Sequence, residues 1–221
     1  SANQDVGFSI VSYTGNATDD ATVGHGLSSA PQMVITKSRG DAGAWQILTN
    51  ITSDYSEGDY IALNTTDAVG NSANVSFVPT STTWQMKSGQ AGNTSSTKIA
   101  YCFHSVQGYS KFGNYTGNGN VNGTFVYTGF KPAWVIVKKT SATNNWVMMD
   151  NKRDPFNMMT KYLLANDNTA EGTGLNFDFL SNGFKLKSAS GGTNTSGATY
   201  IYMAFAENPL VTSTGVPATA R

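Results

Sequence analysis

Pro31-Gln32-Met33-Val34-Ile35-Thr36-Lys37 is an apolar, β-branched run behind a proline. The chain writes it again as Pro132-Ala133-Trp134-Val135-Ile136-Val137-Lys138, 101 positions later. Such runs suit central strands, where branched side chains pack on a pleated surface. Working outward from this pair, further matches keep the same order. Tyr13-Thr14-Gly15-Asn16 returns as Tyr115-Thr116-Gly117-Asn118, and Trp45 as Trp146. Tyr60-Ile61-Ala62-Leu63-Asn64 aligns with Tyr162-Leu163-Leu164-Ala165-Asn166, and Trp84-Gln85-Met86-Lys87-Ser88 with Phe184-Lys185-Leu186-Lys187-Ser188. Ile99 and Phe103 align with Ile201 and Phe205. Six colinear matches at offsets of 100–102 define an internal repeat of domain size rather than a solenoid unit. The reading is a first module at 1–108, a second at 109–210 and a C-terminal tail at 211–221.

Within each module the pattern is strand, turn, strand. Phe8-Ser9-Ile10-Val11-Ser12-Tyr13 alternates with period two, and Thr14-Gly15-Asn16 supplies a turn. Trp45–Leu48 and Trp146–Met149 follow turn-like segments and predict hairpins. Phe77-Val78, Trp84–Lys87 and Lys98–Phe103 finish the first module; Phe177–Leu180, Phe184–Lys187 and Thr199–Phe205 finish the second. Turn signals every 8–12 residues predict an all-β fold, two tandem β-sandwich modules of jelly-roll type. Pro155–Ala165 is the one helix candidate, and Asn157 and Thr160 weaken it.

Composition narrows the function classes. Gly, Ser, Thr and Asn make up 93 of 221 residues, and only 13% are charged. With 14 Lys+Arg against 14 Asp+Glu, the chain lacks the basic excess of a general nucleic-acid binder. One cysteine, Cys102, excludes a disulfide framework within the chain, and His25 and His104 alone do not make a His-rich metal site. No apolar run reaches the roughly 20 residues that span a bilayer, so no membrane insertion is expected. The polar start, Ser1-Ala2-Asn3-Gln4, reads as a cut or processed end rather than a signal peptide.

The residues point to no catalytic constellation. Neither histidine sits near a nucleophile-elbow pattern, and no phosphate-cradling Gly-rich loop occurs. Asp19-Asp20, Asp54/Glu57/Asp59 and Asp150/Asp154 are the carboxylate groups a glycosidase would need to draw on, and all read as solvated loop charges. Asn118–Gly123 lacks the acidic residues of a calcium loop and reads as turns. Trp45 and Trp146 read as core. The candidate ligand-binding residues are Asp54 and Tyr55 in the first module, and Asp150, Lys152, Arg153 and Asp154 in the second. Both sets lie on loops that follow expected strands, where binding residues concentrate. No metal ligand set and no cofactor is expected.

The repeat also resembles tandem modules in tail and fibre proteins of tailed bacteriophages, marine and cyanobacterial phages especially. The resemblance rests on Tyr13–Asn16, Gly24-His25-Gly26-Leu27, Ala100–Phe103, Gly108–Gly119, Phe125–Val135, Leu180–Leu186 and Tyr202–Pro209, and runs through Gly215–Arg221. It implies a virion protein located in the tail, outside the cell. It implies a receptor-binding region that contacts host surface polysaccharide, works beside other tail proteins and assembles as a homotrimer. A purely structural virion component, either a head decoration or a fibre spacer, is the alternative. A tailspike glycan depolymerase is the third reading. The resemblance carries no catalytic or binding residue onto this chain.

Overall fold

The computed structural model describes residues 1–88 and 92–208, with the backbone of 210–211 and 217–218. The chain divides into two compact units, Ser1–His104 and Ser105–Arg221. Both are all-β, and no helix occurs among the described residues.

The first unit contains β1 (Ala2–Asn3), β2 (Phe8–Thr14), β3 (Ala21–Gly24), β4 (Met33–Ser38), β5 (Gln46–Thr49), β6 (Asp59–Ala62), β7 (Gly70–Asn71), β8 (Val78–Pro79), β9 (Thr83–Met86) and β10 (Thr97–Phe103). A seven-stranded sheet runs β1-β2-β10-β4-β5-β6-β7, and a separate three-stranded sheet runs β3-β9-β8. Val34, Leu48, Ala100 and Cys102 from the large sheet pack with Trp84 and Met86 from the small one, so the core lies between two sheets as in a sandwich. Burial in this layer pushes the Cys102 thiol up to about 12, so it packs as a small apolar residue.

The second unit contains β11 (Ser110–Thr116), β12 (Phe125–Tyr127), β13 (Pro132–Lys139), β14 (Trp146–Asp150), β15 (Met159–Leu164), β16 (Gly172–Leu180), β17 (Gly183–Leu186) and β18 (Thr199–Ala206). These form one sheet in the order β11-β18-β13-β14-β15-β16-β17-β12. It closes over its own core: Val135, Val137, Val147 and Tyr202 from one half meet Phe177, Phe179, Phe184 and Leu186 from the other. A register shift between Met159 and Lys161 interrupts the pairing of β15 with β16.

The expected helix at Pro155–Ala165 is corrected. Residues 159–164 are β15, paired to β14 through Leu163 and Leu164 and to β16 through Met159, Lys161 and Tyr162. Pairing on both sides outweighs the weak local preference. The two tryptophans also part company. Trp146 is buried, whereas Trp45 is half-buried, precedes β5 and stacks on Tyr101 with ring centroids 6.2 Å apart. Of the tail at 211–221, the backbone pairs Leu210 with Ala218 and Val211 with Pro217 are described; the rest of the tail lies outside the described residues.

The Tyr-Thr-Gly-Asn motif is fixed in the same way in both units. Tyr13 Oη donates to Gly92 O at 3.0 Å, and Tyr115 Oη to Thr193 O at 2.7 Å. A Cβ on Gly15 or Gly117 would collide with the carbonyl of Thr94 or Thr195, so only glycine admits this close approach. Buried Asn93 accepts from Asn16 N at 3.0 Å, and buried Asn194 accepts from Asn118 N at 2.9 Å. Each asparagine then donates back to the loop, Asn93 to Thr18 O and Asn194 to Asn120 O. The loop at Asn118–Gly123 is built of successive Asx turns: Asn118 Oδ1 accepts from Asn120 N, and Asn120 Oδ1 from Asn122 N.

Candidate functional site

The residues singled out from sequence fall on two loops. In the first unit, Asp54 is exposed, while Tyr55 is half-buried with its Oη donating to Phe77 O at 2.7 Å. Burial, reinforced by Glu57 and Asp59, raises the Tyr55 pKa. Asp59 is buried and accepts from Ser56 N at 2.9 Å and Asn71 Nδ2 at 2.8 Å. Tyr55 thus anchors its loop.

In the second unit, Asp150, Arg153 and Asp154 are brought together as a loop frame. Asp150 Oδ1 accepts from Lys152 N and Arg153 N, at 3.0 and 2.8 Å. The Arg153 guanidinium bridges Asp150 Oδ2 at 3.1 Å and Glu171 Oε2 at 2.8 Å. Its hydrogen bond to Glu171 raises the guanidinium pKa and lowers that of the Glu171 carboxyl. Asp154 Oδ2 accepts from Thr160 N at 2.7 Å, and that bond holds its carboxyl below the usual value. These charges are engaged with one another, with Thr160 N and with Glu171, and Lys152 is exposed beside them.

Another site, at the edge of the second unit, has no counterpart among those residues. β12 is the last strand of its sheet, and its residues alternate exposed, buried, exposed. Val126 enters the core, which turns Phe125 and Tyr127 outward at 43% and 63% exposure. Opposite Tyr127 stands Gly183, where a Cβ would come within 3.1 Å of the Phe125 ring. The backbone behind Tyr127 is held firmly: Asn182 O accepts from both Thr128 N and Gly129 N, and Thr128 Oγ1 donates to Phe130 O at 2.7 Å.

Tyr127 borders a cavity of about 370 Å³ together with Ser105, Gln107, Lys111, Thr128 and Gly129. Among the described residues, the Gln107 amide, the Lys111 ammonium and the Tyr127 hydroxyl have no hydrogen-bond or ion-pair partner. An aromatic face therefore sits beside an amide and a cation with free hydrogen-bonding capacity. Such a platform receives a ligand with one apolar face and a polar rim.

The two histidines are buried and engaged within the first unit. His25 is buried; its Nδ1 accepts from Leu27 N at 3.0 Å, which leaves Nε2–H to donate to Thr80 O at 3.2 Å. Burial lowers its pKa. His104 is buried, with its Nε2 3.4 Å from Ser28 Oγ. No group of three or more His, Cys, Asp or Glu converges among the described residues.

Fold and site together describe a tandem all-β chain with two exposed aromatic rings, Phe125 and Tyr127, on one sheet edge. The chain belongs to a family described as a domain of unknown function, DUF7483, whose model matches residues 1–209 and so spans both units. No curated protein and no solved structure gives a significant match.

Proposed function

We propose that this chain is the receptor-binding region of a bacteriophage tail fibre or tail-associated protein, and that it holds host surface polysaccharide at Tyr127. One observation carries the binding role: an aromatic ring 63% exposed on a rigid edge strand, beside unengaged Gln107 and Lys111. A sugar ring lays its C–H face on an aromatic surface while its hydroxyls bond to amide and ammonium groups. Charge on the polysaccharide adds to the attraction of Lys111. The virion role rests on the resemblance of the repeat to tail modules. In this reading the chain binds without catalysis or cofactor, outside the cell, in a homotrimer beside other tail proteins. Weak contacts at one site are multiplied by the copies on a fibre.

The test is binding of the purified chain to a panel of extracted bacterial surface polysaccharides, with released sugar assayed in the same tubes. Saturable binding without release, lost in Tyr127→Ala with the fold retained, is the expected result. Absence of binding across the panel by an intact oligomer would replace the reading with a structural virion component. Released sugar would replace it with a depolymerase.

A further inference from the structure

The repeat contains an internal control that exposes a second site. β10 sends Lys98, Ala100 and Cys102 to the core face of the first unit, and all three are buried. A lysine on a core face is rare unless paired. The pairing register matches it to Tyr200: Lys98 stands opposite Tyr13 and Ser38, as Tyr200 stands opposite Tyr115 and Lys139. Thr36 pairs with Gln46 where Val137 pairs with Val147. In the second unit Val137, Val147 and Tyr200 are buried, and the Tyr200 ring stacks on Tyr115 at 4.9 Å. At the corresponding place in the first unit lies a cavity of about 340 Å³ bordered by Thr36, Gln46 and Lys98, with Ser38, Asp41 and Thr94.

The lining selects a ligand class. Lys98 Nζ donates to Thr94 Oγ1 and lies 3.9 Å from Asp41 Oδ2, leaving ammonium hydrogens to spare. The Thr36 hydroxyl and Gln46 amide have no side-chain hydrogen bond among the described residues. Asp41 offsets the charge of Lys98, so an entering anion would meet a carboxylate as well as an ammonium. Among the described residues the wall bears no aromatic ring for a base to stack on, and its apolar residues are Ala42, Gly43, Ala44 and Gly92. The volume is near the lower end of the roughly 300–1,000 Å³ usual for ligand pockets.

We infer that the first unit binds one neutral sugar ring in the cavity between Lys98, Asp41, Thr36 and Gln46, a site separate from the Tyr127 platform. The ring hydroxyls accept from Lys98 and Gln46 and donate to Asp41 and Thr36, and its small C–H face covers Ala42 and Ala44. This inference stands whether or not polysaccharide binds at Tyr127.

Saturation-transfer NMR with a panel of neutral hexoses and N-acetylhexosamines tests it, with acetate and inorganic phosphate as anion probes. At least one sugar is expected to saturate the wild-type chain in the millimolar range, about −4 kcal/mol at 1 mM. Gln46→Val is expected to weaken that binding about tenfold, by removing hydrogen bonds from the ligand. Thr36→Val with Lys98→Tyr, which copies the second unit, is expected to abolish the part of that binding that persists in Tyr127→Ala. Should the double variant fail to fold, the half-exposed Gln46→Val decides alone. No saturable sugar binding, sugar binding indifferent to Gln46→Val, or a preference for acetate or phosphate would each overturn the inference. Loss of polysaccharide binding in Tyr127→Ala with monosaccharide binding persisting separates the two sites.

Discussion

The two units order their equivalent strands identically, yet these strands make two sheets in the first unit and one in the second. In the second unit β16 runs unbroken from Gly172 to Leu180 and joins β15 to β17. In the first unit its place is taken by the two-residue strands β7 and β8, separated by a turn at Ala73–Asn74. Tyr60 and Tyr162 pair with Gly70 and Gly172 at an offset of 102, whereas Trp84 and Phe184 pair with Pro79 and Phe179 at an offset of 100. The first unit therefore has two more residues in this stretch. Two residues bulge out, the ladder breaks, and the core survives because Phe77 and Trp84 still pack where Phe177 and Phe184 do. Core-facing side chains, rather than an unbroken hydrogen-bond ladder, are what both halves keep. Their differences collect at the periphery: Thr22 and Gly24 on one outer edge against Phe125 and Tyr127 on the other, and a polar cavity against a filled one.

Truncating the shared core is the hardest blow to this equivalence. Trp84→Ala and Phe184→Ala are each expected to cost about 3–5 kcal/mol, read by urea denaturation with hydrogen exchange reporting which unit loosens. Trp84→Phe, which imports the second unit's residue, is expected to cost less than about 1.5 kcal/mol, because the indole N–H finds no acceptor among the described residues. A cost for Trp84→Phe equal to that for Trp84→Ala would show that the two core positions are not equivalent.

Next come the buried asparagines. Asn93→Ala and Asn194→Ala are expected to cost about 2–3 kcal/mol by leaving buried loop groups unpaired. The larger effect is expected for Asn194, whose Nδ2 reaches Asn118 Oδ1, Asn120 O and Ser188 O. Equal losses in urea midpoint would show that the extra bonds add nothing. A smaller effect is expected from deleting Ala73 and Asn74. The remaining Gly-Asn-Ser-Val-Ser-Phe then matches Gly172–Phe177 in length, and amide protection at Val75 and Ser76 should rise with a stability change within about 1 kcal/mol. Loss of folding would instead show that the turn is required.

The mildest contrast is with pH. His25 is held neutral, chiefly by burial, while Thr128 occupies the corresponding register position in the second unit. The unfolded chain takes up the proton more readily than the folded one. The contribution of His25 is therefore complete above about pH 6.5 and declines as pH falls below it. Exchange at pH 5 against pH 7 should loosen the first unit around Leu27 and Thr80, and His25→Gln should remove the difference.

Much of this architecture was legible because a core face repeats. Val34 and Val135, Leu48 and Met149, Trp84 and Phe184 are apolar in both copies, and apolar repetition survives in sequence. The short strands were legible only in part: Phe77-Val78 overlaps β8, whereas β7, Gly70–Asn71, has no apolar residue to mark it. The engaged state of Asp150, Arg153 and Asp154 was hidden too, because a charge cluster looks the same in sequence whether it faces solvent or braces its own loop. Tyr127 and Lys98 carried a signal that one copy alone does not show. Each is conspicuous only when set beside its register partner, Gly24 or Tyr200, and the offset there drifts away from 101 to 103 and 102.

The buried asparagine staples also bear on how this protein can be made. Asn93-Thr94-Ser95 and Asn194-Thr195-Ser196 are both acceptor sequences for N-linked glycosylation. A eukaryotic secretory host attaches the oligosaccharide to the nascent chain, before folding. The modified side chains would then be those that must lie at 1% and 0% exposure and satisfy the loops around them. Secretion from yeast or mammalian cells is thus expected to yield misfolded material in proportion to occupancy at these two asparagines, whereas production in bacteria leaves both side chains free to close their loops.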